Sequence, residues 1–290
     1  MKDLARWFFI NFIFKIVPDD VYLKIRYRLM TSKRLNLKMP KTFNEKIQWL
    51  KLYDRKPEYT NMVDKYEVHK HIAKVIGEEY LIPCYGVFNS FDEVPFDTLP
   101  NQFVLKCTHD SASVVICKDK KALDMIKTRK HFKKKLACNY YWGRRQWAYK
   151  NIKPRIIAEK LMVDKNGNVP ADYKIHCFNG EPKYIQLISD RFTDSIREAF
   201  YNENWILQEF TVTYPNTGEI DAKPKQLEKM LELTKKLSKE LPYVRIDLYM
   251  VNDEQIYFGE MTFYPEAGFL HFNPPEWDRK LGGWLVLPNI

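Results

Sequence analysis

The stretch "RIDLYMVNDEQIYFGEMTF", residues 245–263, decides how the sequence is interpreted. Two apolar, aromatic runs flank Asn252-Asp253, and Asn and Asp are typical turn residues, so the stretch predicts a β-hairpin. Charged residues nevertheless stand inside both runs, namely Arg245, Asp247 and Glu260. Because an unpaired carboxylate is costly in apolar surroundings, these charges need partners, either from the protein or from a ligand.

Side-chain alternation predicts that these charges share one face of the hairpin. Residues two apart on a strand point the same way, so Arg245 lies beside Asp247, and Glu260 beside Thr262. The predicted turn brings Asp247 roughly opposite Glu260. Two interpretations stay open. One is an ordinary buried salt bridge around Arg245, and the other is a divalent-metal site, because Mg²⁺ binds one or two carboxylates together with substrate phosphates.

Two lysines are candidates for holding such phosphates. Lys106 ends the apolar run "FVLKC" and precedes the polar loop "THDSAS", whose Ser111, Ser113 and backbone N–H groups could hold a polyphosphate. Lys65 lies at the start of a predicted helix, where the helix dipole favours anions. A lysine of this kind is more often a solvated surface charge, so neither position alone identifies a nucleotide site.

Composition limits the classes of protein to consider. With 290 residues, 45% hydrophobic and 29% charged, the chain is typical of a soluble globular protein and not of a disordered one. The net charge of +10 favours an anionic partner such as a nucleotide, nucleic acid, anionic lipid or acidic polysaccharide. Five scattered cysteines without a C-x-x-C motif argue against a disulfide framework and a zinc site, and fit a reducing cytoplasm.

The first sixty residues are predicted to be mainly helical. The apolar stretch Trp7–Phe14 is far shorter than the roughly 20 residues that span a bilayer. It predicts either a helix packed on the body of the protein or a basic, aromatic helix resting on an anionic membrane. The expected location is the cytoplasm, at the inner face of the membrane under the second interpretation.

Other local signals predict a mixture of antiparallel strands and helices. Thr42 and Glu45 form a capping box at a helix start. The runs "QFVLKC" and "SVVICKD" predict one hairpin, and Asn179-Gly180 predicts the turn of another. Residues 120–150 are basic and predicted to be helical. No internal repeat, G-x-x-x-x-G-K-[ST] or G-x-G-x-x-G motif occurs, and the pattern predicts an α+β fold.

Six short motifs, in order, resemble those of the ATP-grasp superfamily: "DK" (64–65), "FVLK" (103–106), "IIAEKL" (156–161), "DYK" (172–174), "RID" (245–247) and "GEMT" (259–262). The longer phrases "KTFNEKIQWLKL", "IGEEYLIP", "DYKIHCFNG" and "PPEWDRKLG" narrow the likeness to the TupA-like ATP-grasp family, named for teichuronopeptide synthesis. The resemblance covers nearly the whole chain from Lys41.

The resemblance implies an ATP-grasp fold, in which two α+β subdomains with antiparallel sheets grip a nucleotide. An N-terminal helical segment, residues 1–62, would precede a small subdomain, residues 63–155, that carries a basic helical insertion. Residues 156–290 would form the large subdomain, with the hinge and a magnesium site.

The resemblance also implies a role for individual residues, with ATP and Mg²⁺ as cofactors. Arg245 would face the substrate carboxylate and the oxyanion formed from it, and Lys106 would act on the phosphates during catalysis. Asp247 and Glu260 would hold two Mg²⁺ ions, with Thr262 where an Asn is common. The nucleotide contacts implied are Lys65, Lys106, Ser111 and Ser113 at the phosphates, Glu159, Lys160, Leu161 and Met162 at the adenine, Asp172 at the ribose, and Lys174 close by.

The activity implied is ATP-dependent ligation of a carboxylate to an amine through an acyl phosphate. The TupA likeness implies a uronic acid or other acidic glycan as carboxylate and an amino acid or amine as partner, in cell-surface (capsule) polysaccharide biosynthesis. Arg191, Glu266 and Gly268 would face the acceptor, and the cations and aromatic rings of residues 127–150 could contact a glycan. One departure is that the loop "THDSASVVI" contains no glycine.

Two other classes of protein share some of these sequence features. Many nucleotide-sugar glycosyltransferases hold their metal with an Asp-x-Asp motif, and no two aspartates stand two apart in this chain. A non-enzymatic basic module for nucleic acid or membrane would fit the charge. It would leave Asp247 and Glu260 unexplained, because carboxylates repel a phosphate backbone, so no specific nucleic-acid partner is expected.

Overall fold

The computed structural model describes residues 14–189, 196–214, 218 and 220–289. Nine strands in these ranges form two antiparallel sheets, which confirms the predicted α+β class. The first sheet has the order β1-β4-β2-β3, and the second has the order β7-β6-β5-β8-β9. The strands are β1 Cys84–Phe88, β2 Phe103–Cys107, β3 Val115–Cys117, β4 Ile156–Lys160, β5 Asp172–Phe178, β6 Glu181–Ser189, β7 Arg197–Asn202, β8 Tyr243–Val251 and β9 Gln255–Thr262.

The helices cluster at the beginning of the described chain and around the sheets. The predicted capping box is confirmed, since Glu45 N–H donates to the Thr42 hydroxyl at 3.3 Å and Thr42 N–H donates to Glu45 Oε2 at 3.1 Å. A three-residue helical stretch, Phe14–Ile16, comes first. The other helices are α1 Asp19–Thr31, α2 Phe43–Tyr53, α3 Glu58–Val63, α4 Val68–Val75, α5 Met125–Leu136, α6 Tyr141–Arg144, α7 Leu227–Ser238 and α8 Glu276–Trp284.

The larger hydrophobic core lies around the five-stranded sheet, where α7 packs against β5, β6 and β8. Strand β5 is buried along its whole length. Its apolar residues Ile175 and Cys177 belong to this core, while Asp172, Lys174 and His176 alternate with them and so point to the other face. A sheet that is covered on both faces can therefore present buried polar side chains to a cleft between the two sheets.

The β8–β9 hairpin follows the predicted turn but contains a bulge that the sequence did not predict. Asn252 and Asp253 have φ values of 54° and 58° in the connection. Pairing is regular from the turn to Leu248↔Phe258, and the next pair is Asp247↔Glu260. Gly259 is thus the additional residue, and a Cβ there would lie only 3.1 Å from the Asp247 carbonyl oxygen. Without this bulge, Gly259 and not Glu260 would stand opposite Asp247.

Three further predictions concern the N-terminal apolar stretch, the basic block and the subdomain boundary. Residues 7–13 of the predicted N-terminal apolar helix lie outside the described residues. Within the described ranges, no helix is both long enough and apolar enough to cross a membrane. The basic block 120–150 is divided into α5, α6 and short turns. The predicted subdomain boundary at Ile156 falls at the start of β4, which pairs with β1 and β2 in the four-stranded sheet.

Candidate functional site

The charged face of the β8–β9 hairpin is held together by Arg245. Its Nε donates to Asp247 Oδ1 at 2.6 Å, and its Nη2 donates to Asp247 Oδ2 at 2.8 Å and to Glu260 Oε1 at 2.9 Å. The Thr262 hydroxyl accepts from Arg245 at 3.2 Å and donates to Glu260 Oε1 at 3.1 Å. The four residues that strand alternation placed on one face therefore contact one another, and the predicted salt bridge is present.

Lys174 extends this cluster onto the neighbouring strand. It lies on β5 directly opposite Asp247, and its Nζ is 2.5 Å from Asp247 Oδ2. The same Nζ is 2.6 Å from Asp172 Oδ2. A continuous row of alternating charges consequently runs across three adjacent strands, from Glu260 on β9 to Asp172 on β5.

The surrounding charges keep both hairpin carboxylates ionised. Burial raises the pKa of Asp247, but Arg245 and Lys174 outweigh it, and the net pKa is lowered. Burial and the Asp247 charge raise the pKa of Glu260, and the cations of Lys65, Arg245 and Lys174 outweigh them, so that this pKa is lowered too. Two ionised carboxylates are thus available at neutral pH as oxygen ligands.

The pair fits a metal that shares its ligands with a nucleotide. No group of three or more His, Cys, Asp or Glu side chains in the described ranges could hold a metal ion alone. Asp247 and Glu260 each place an oxygen within 2.9 Å of the same Arg245 nitrogen, so the two oxygens are near each other. Mg²⁺ typically uses one or two carboxylates and completes its shell with water and phosphate oxygens. The donor set of Asp247 and Glu260 matches that requirement.

A cavity of about 140 Å³ lies next to this row of charges. Six residues predicted to contact nucleotide line it, and Asp172 connects it to Lys174 and the hairpin. A larger cavity of about 820 Å³ adjoins it and shares Ile116, Val169 and Pro170 with it. Mostly apolar walls with a few polar groups are typical of small-molecule sites. The predicted residues in the smaller cavity are Lys106, Glu159, Lys160, Leu161, Met162 and Asp172.

Lys106 and Glu159 form an ion pair in this cavity. The Lys106 Nζ lies 2.6 Å from Glu159 Oε2, and both residues are largely shielded from solvent. They come from the neighbouring strands β2 and β4, where Val104 is the partner of Glu159. Their separate roles at the phosphates and at the adenine stay predictions, because in this structure each satisfies the charge of the other.

Lys65 lies between the helical region and the phosphate loop, which we define as residues 108–114. Its Nζ donates to the Asp110 carbonyl oxygen, and its N–H donates to the Thr108 carbonyl oxygen at 3.1 Å. The prediction that a helix begins at Lys65 was wrong, because α4 begins at Val68. The Asp64 carboxylate accepts from the N–H groups of residues 66 and 67, and its carbonyl oxygen accepts from Val68 N–H at 3.1 Å, so Asp64 caps a turn that leads into the helix.

Side chains within the phosphate loop fix its shape in the absence of glycine. The buried Ser113 hydroxyl accepts from Cys107 N–H at 2.8 Å and donates to Asp110 Oδ1 at 2.5 Å. Lys135 Nζ is 3.7 Å from Asp110 Oδ2. Ser111 is exposed at the tip of the loop. Of the two predicted serines, Ser113 therefore shapes the loop, whereas Ser111 remains accessible.

Helix α5 anchors the same loop through two histidines that the sequence did not single out. His109 Nε2 lies 3.3 Å from the Lys135 carbonyl oxygen and 3.1 Å from that of Cys138. His131 Nε2 lies 3.3 Å from the Ser113 carbonyl oxygen. These contacts join residues far apart in the sequence, and no local pattern of the kind used for strands or helices signals them.

The residues predicted to face the acceptor have different surroundings. Arg245 and Glu266 line a small cavity of about 30 Å³, together with His176 and Gln186. Glu266 points largely to solvent, with an oxygen 3.6 Å from Arg144 Nη1. Gly268 has a φ of 71°, and its carbonyl oxygen accepts from the Gln48 amide at 2.7 Å. Arg191 lies outside the described residues.

A buried polar network beside Arg245 was also missed. The Tyr243 hydroxyl lies 2.7 Å from His176 Nδ1, and His176 Nε2 is 3.2 Å from Gln186 Oε1. The Gln186 amide in turn donates to the buried Glu198 at 2.5 Å. Burial, helped by the Arg245 charge, lowers the pKa of His176 well below its usual value. Finding this network requires the strand order β7-β6-β5-β8, which the sequence alone does not provide.

Comparison with known proteins gives one family match. The profile described as TupA-like ATPgrasp matches residues 45–286. No curated protein matches significantly. Among solved structures, D-alanine–D-alanine ligase from Bacillus anthracis with ATP is 17% identical over 70% of this chain and 54% of its own, with a TM-score of 0.40. The L-amino acid ligase from Bacillus licheniformis is 14% identical over 78% and 49%, with a TM-score of 0.47. The chain spans about half the length of these structures.

Proposed function

Because the chain belongs to the TupA-like ATP-grasp family, we propose that it is an ATP- and Mg²⁺-dependent ligase that joins a carboxylate to an amine. One observation carries the proposal: Lys174 connects Asp172 in the 140 Å³ cavity with Asp247 in the hairpin cluster. The cavity proposed for the nucleotide and the carboxylates proposed for its metal are thereby adjacent. A basic module that binds anionic polymers has no need for ionised carboxylates at this position.

The cavity and its rim supply the contacts that a nucleotide needs. The backbone of residues 159–162 and the Asp172 carboxylate would hold the adenine and ribose. Lys106 and Lys65, with the phosphate loop, would hold the phosphates, and Lys106 would then exchange its contact with Glu159 for one with the ligand. Asp247 and Glu260 would hold Mg²⁺, which when bound offsets the negative charge of the phosphoryl group.

Arg245 supports the ligation chemistry. A substrate carboxylate oxygen attacks the γ-phosphorus of ATP, ADP departs, and an acyl phosphate results. An amine then attacks the acyl carbon, loses a proton and displaces phosphate, which leaves an amide. The Arg245 guanidinium lies beside the 30 Å³ cavity and would stabilise the oxyanion that develops on the carbonyl oxygen. Positioned charge of this kind suffices without a protein nucleophile.

The proposed substrates are an acidic glycan, such as a uronic acid polymer, and an amino acid or other amine, in cytoplasmic steps of cell-surface polysaccharide biosynthesis. Helix α5 supports an anionic carboxylate substrate, because it carries exposed cations and its His131 contacts the phosphate loop. A cavity of about 290 Å³ is lined by residues from both, among them Ser111, His131 and Lys134. The exposed cations of α5 are Lys127, Arg129, Lys130, Lys133 and Lys134.

Calorimetry of ATP binding with and without Mg²⁺ tests the proposal. We expect Glu260→Gln to weaken Mg²⁺-dependent ATP binding by about tenfold or more, because a charged metal ligand is lost. Glu254→Gln is the matched control, since Glu254 is exposed in the connection of the same hairpin. Wild-type affinity in both variants, or no ATP binding by the wild type, would contradict the proposal. ADP release with paired acids and amines would then identify the substrates.

A further inference from the structure

The outer face of α1 carries a row of exposed apolar side chains. Val21, Ile25 and Leu29 are 40%, 56% and 74% exposed. They are spaced four residues apart, so they form one continuous strip along the helix, which we call the apolar stripe. The opposite face of α1 is buried through Tyr22, Leu23 and Tyr27. The helix is thus fixed to the protein on one side and offers apolar surface on the other.

The same part of the chain holds most of the excess positive charge. Residues 14–41 contain eight Lys or Arg and only two Asp, a net charge of +6 out of +10 for the whole chain. Both aspartates are paired, Asp19 with Arg55 at 2.7 Å and Asp20 with Lys24 at 2.9 Å. Lys24 follows Val21 by three residues, as Arg28 follows Ile25, and cations therefore border the apolar stripe.

A basic, aromatic groove lies beside the stripe. Its volume is about 630 Å³, and three cations line it, Lys24 from α1 and Arg34 and Lys38 from the following loop. The rings of Trp49 and Tyr53 line the groove as well, with centroids 5.0 Å apart. Aromatic rings next to cations are typical of surfaces that meet the headgroup region of a bilayer.

We propose that the apolar stripe and this groove form a surface that rests on an anionic lipid bilayer. Basic amphipathic helices bind in the interfacial plane, with apolar residues below the headgroups and cations among them. A second copy of the chain is a poorer occupant, because a symmetric contact would bring two strongly positive surfaces together. A soluble polyanion would satisfy the cations but leave Val21, Ile25 and Leu29 in water.

The buried face of α1 connects this surface to the proposed acceptor side. Tyr27 packs against Ala267, which lies between Glu266 and Gly268, and against Phe269, which follows them. This orientation of the bilayer relative to the site is the one step that rests on the proposed ligase function. If that function holds, the bilayer would lie on the side from which the acceptor reaches Arg245. An acceptor carried on a lipid is the substrate form that suits such an arrangement.

Co-sedimentation of the full chain with vesicles tests the surface. We expect binding to phosphatidylcholine vesicles that contain phosphatidylglycerol, and loss of binding without phosphatidylglycerol or at high salt. Ile25→Glu/Leu29→Glu should weaken binding by about tenfold or more, because two apolar side chains no longer enter the bilayer. The matched control is Ile126→Glu/Ile206→Glu, at positions 81% and 60% exposed, which should bind like the wild type.

Several results would overturn the proposal. One is that the wild-type protein does not bind vesicles that contain phosphatidylglycerol. Another is that Ile25→Glu/Leu29→Glu, the stripe variant, binds as well as the control. A third is that the wild type self-associates as its concentration rises and the stripe variant does not. Binding of soluble polyglutamate in preference to vesicles would also contradict it. Melting temperatures confirm that the variants are folded, and vesicle-free MgATP calorimetry keeps this proposal separate from the ligase proposal. The stripe variant should bind MgATP like the wild type, and vesicle binding without MgATP binding would overturn only the ligase proposal.

Discussion

The β8–β9 hairpin and the phosphate loop are two halves of one candidate site with different structural origins. In the hairpin, Arg245, Asp247 and Glu260 meet because strand alternation and one short connection place them together. In the phosphate loop, Asp110 and Ser113 are positioned by Lys65 and by α5, from other parts of the chain. Local geometry assembles the first half, and tertiary packing assembles the second.

The two halves also satisfy their polar groups differently. The hairpin charges neutralise one another, so a ligand must compete with the bonds of Arg245 and Lys174 to the carboxylates. The loop bonds mostly to backbone carbonyl groups, such as the contacts of His109 with residues 135 and 138. A change in the hairpin should therefore have a large effect on stability, whereas a change in the loop should mainly disturb its shape.

Removing the central cation is expected to have the largest effect. Among the described residues, Arg245→Met would leave the buried Asp247 with only Lys174 as a cationic partner, and we expect the free energy of unfolding to fall by about 3–5 kcal/mol. Denaturant titration measures this. Arg279→Met, at an exposed position of α8, is the control. A loss no greater than that of the control would mean that solvent or Lys174 compensates for the missing guanidinium.

In the loop, Ser113→Ala should have an intermediate effect. It leaves the Cys107 N–H buried without its acceptor, and we expect a loss of about 1–3 kcal/mol in the free energy of unfolding. Asp110 would also lose the hydrogen bond that Ser113 donates, which should disturb the loop. We therefore expect a higher Kd for ATP, which calorimetry measures. For stability, Ser111→Ala at the exposed tip is the control. Unchanged stability of the Ser113 variant would show that α5 alone fixes the loop.

The smallest expected effect is a change in the pH dependence of stability, due to His176. Its pKa is lowered in the folded state, so below about pH 6.5 the unfolded chain binds a proton that the folded chain does not. The free energy of unfolding should therefore decrease as the pH falls, and this residue contributes up to about 1.4 kcal/mol per pH unit to the decrease. His176→Gln should show a shallower slope between neutral and acidic pH in denaturant titrations. Equal slopes in the two proteins would mean that His176 accepts the proton when folded.

The contrast between the two halves explains what could be predicted from the sequence. The shared face of Arg245, Asp247, Glu260 and Thr262 was predictable, because side-chain alternation is a property of any strand. The capping box at Thr42 was predictable for the same reason, since its contacts span three residues. In each case the relevant contacts lie within one element or one tight hairpin.

Contacts that depend on packing could not be predicted. His109 contacts carbonyl groups 26 and 29 residues away, and His176 meets Tyr243 only because β8 pairs with β5. The start of α4 at Val68 follows a turn that Asp64 caps, and helix propensity does not decide how many residues this turn takes. The exposure of the apolar stripe on α1 likewise follows from which face packs inward, and hydrophobic periodicity alone cannot give that.

The bulge at Gly259 has a consequence for changes in the length of the hairpin. Counting residues from the turn places Gly259 opposite Asp247, and only the bulge allows Glu260 to take that place. A deletion of Gly259 would leave the opposed carboxylates as they are, in a regular ladder. A bulky residue there that forced regular pairing would turn Glu260 toward the core and Met261 toward the cleft. The bulge at Gly259 thus accommodates one additional residue in β9, and Glu260 still stands opposite Asp247.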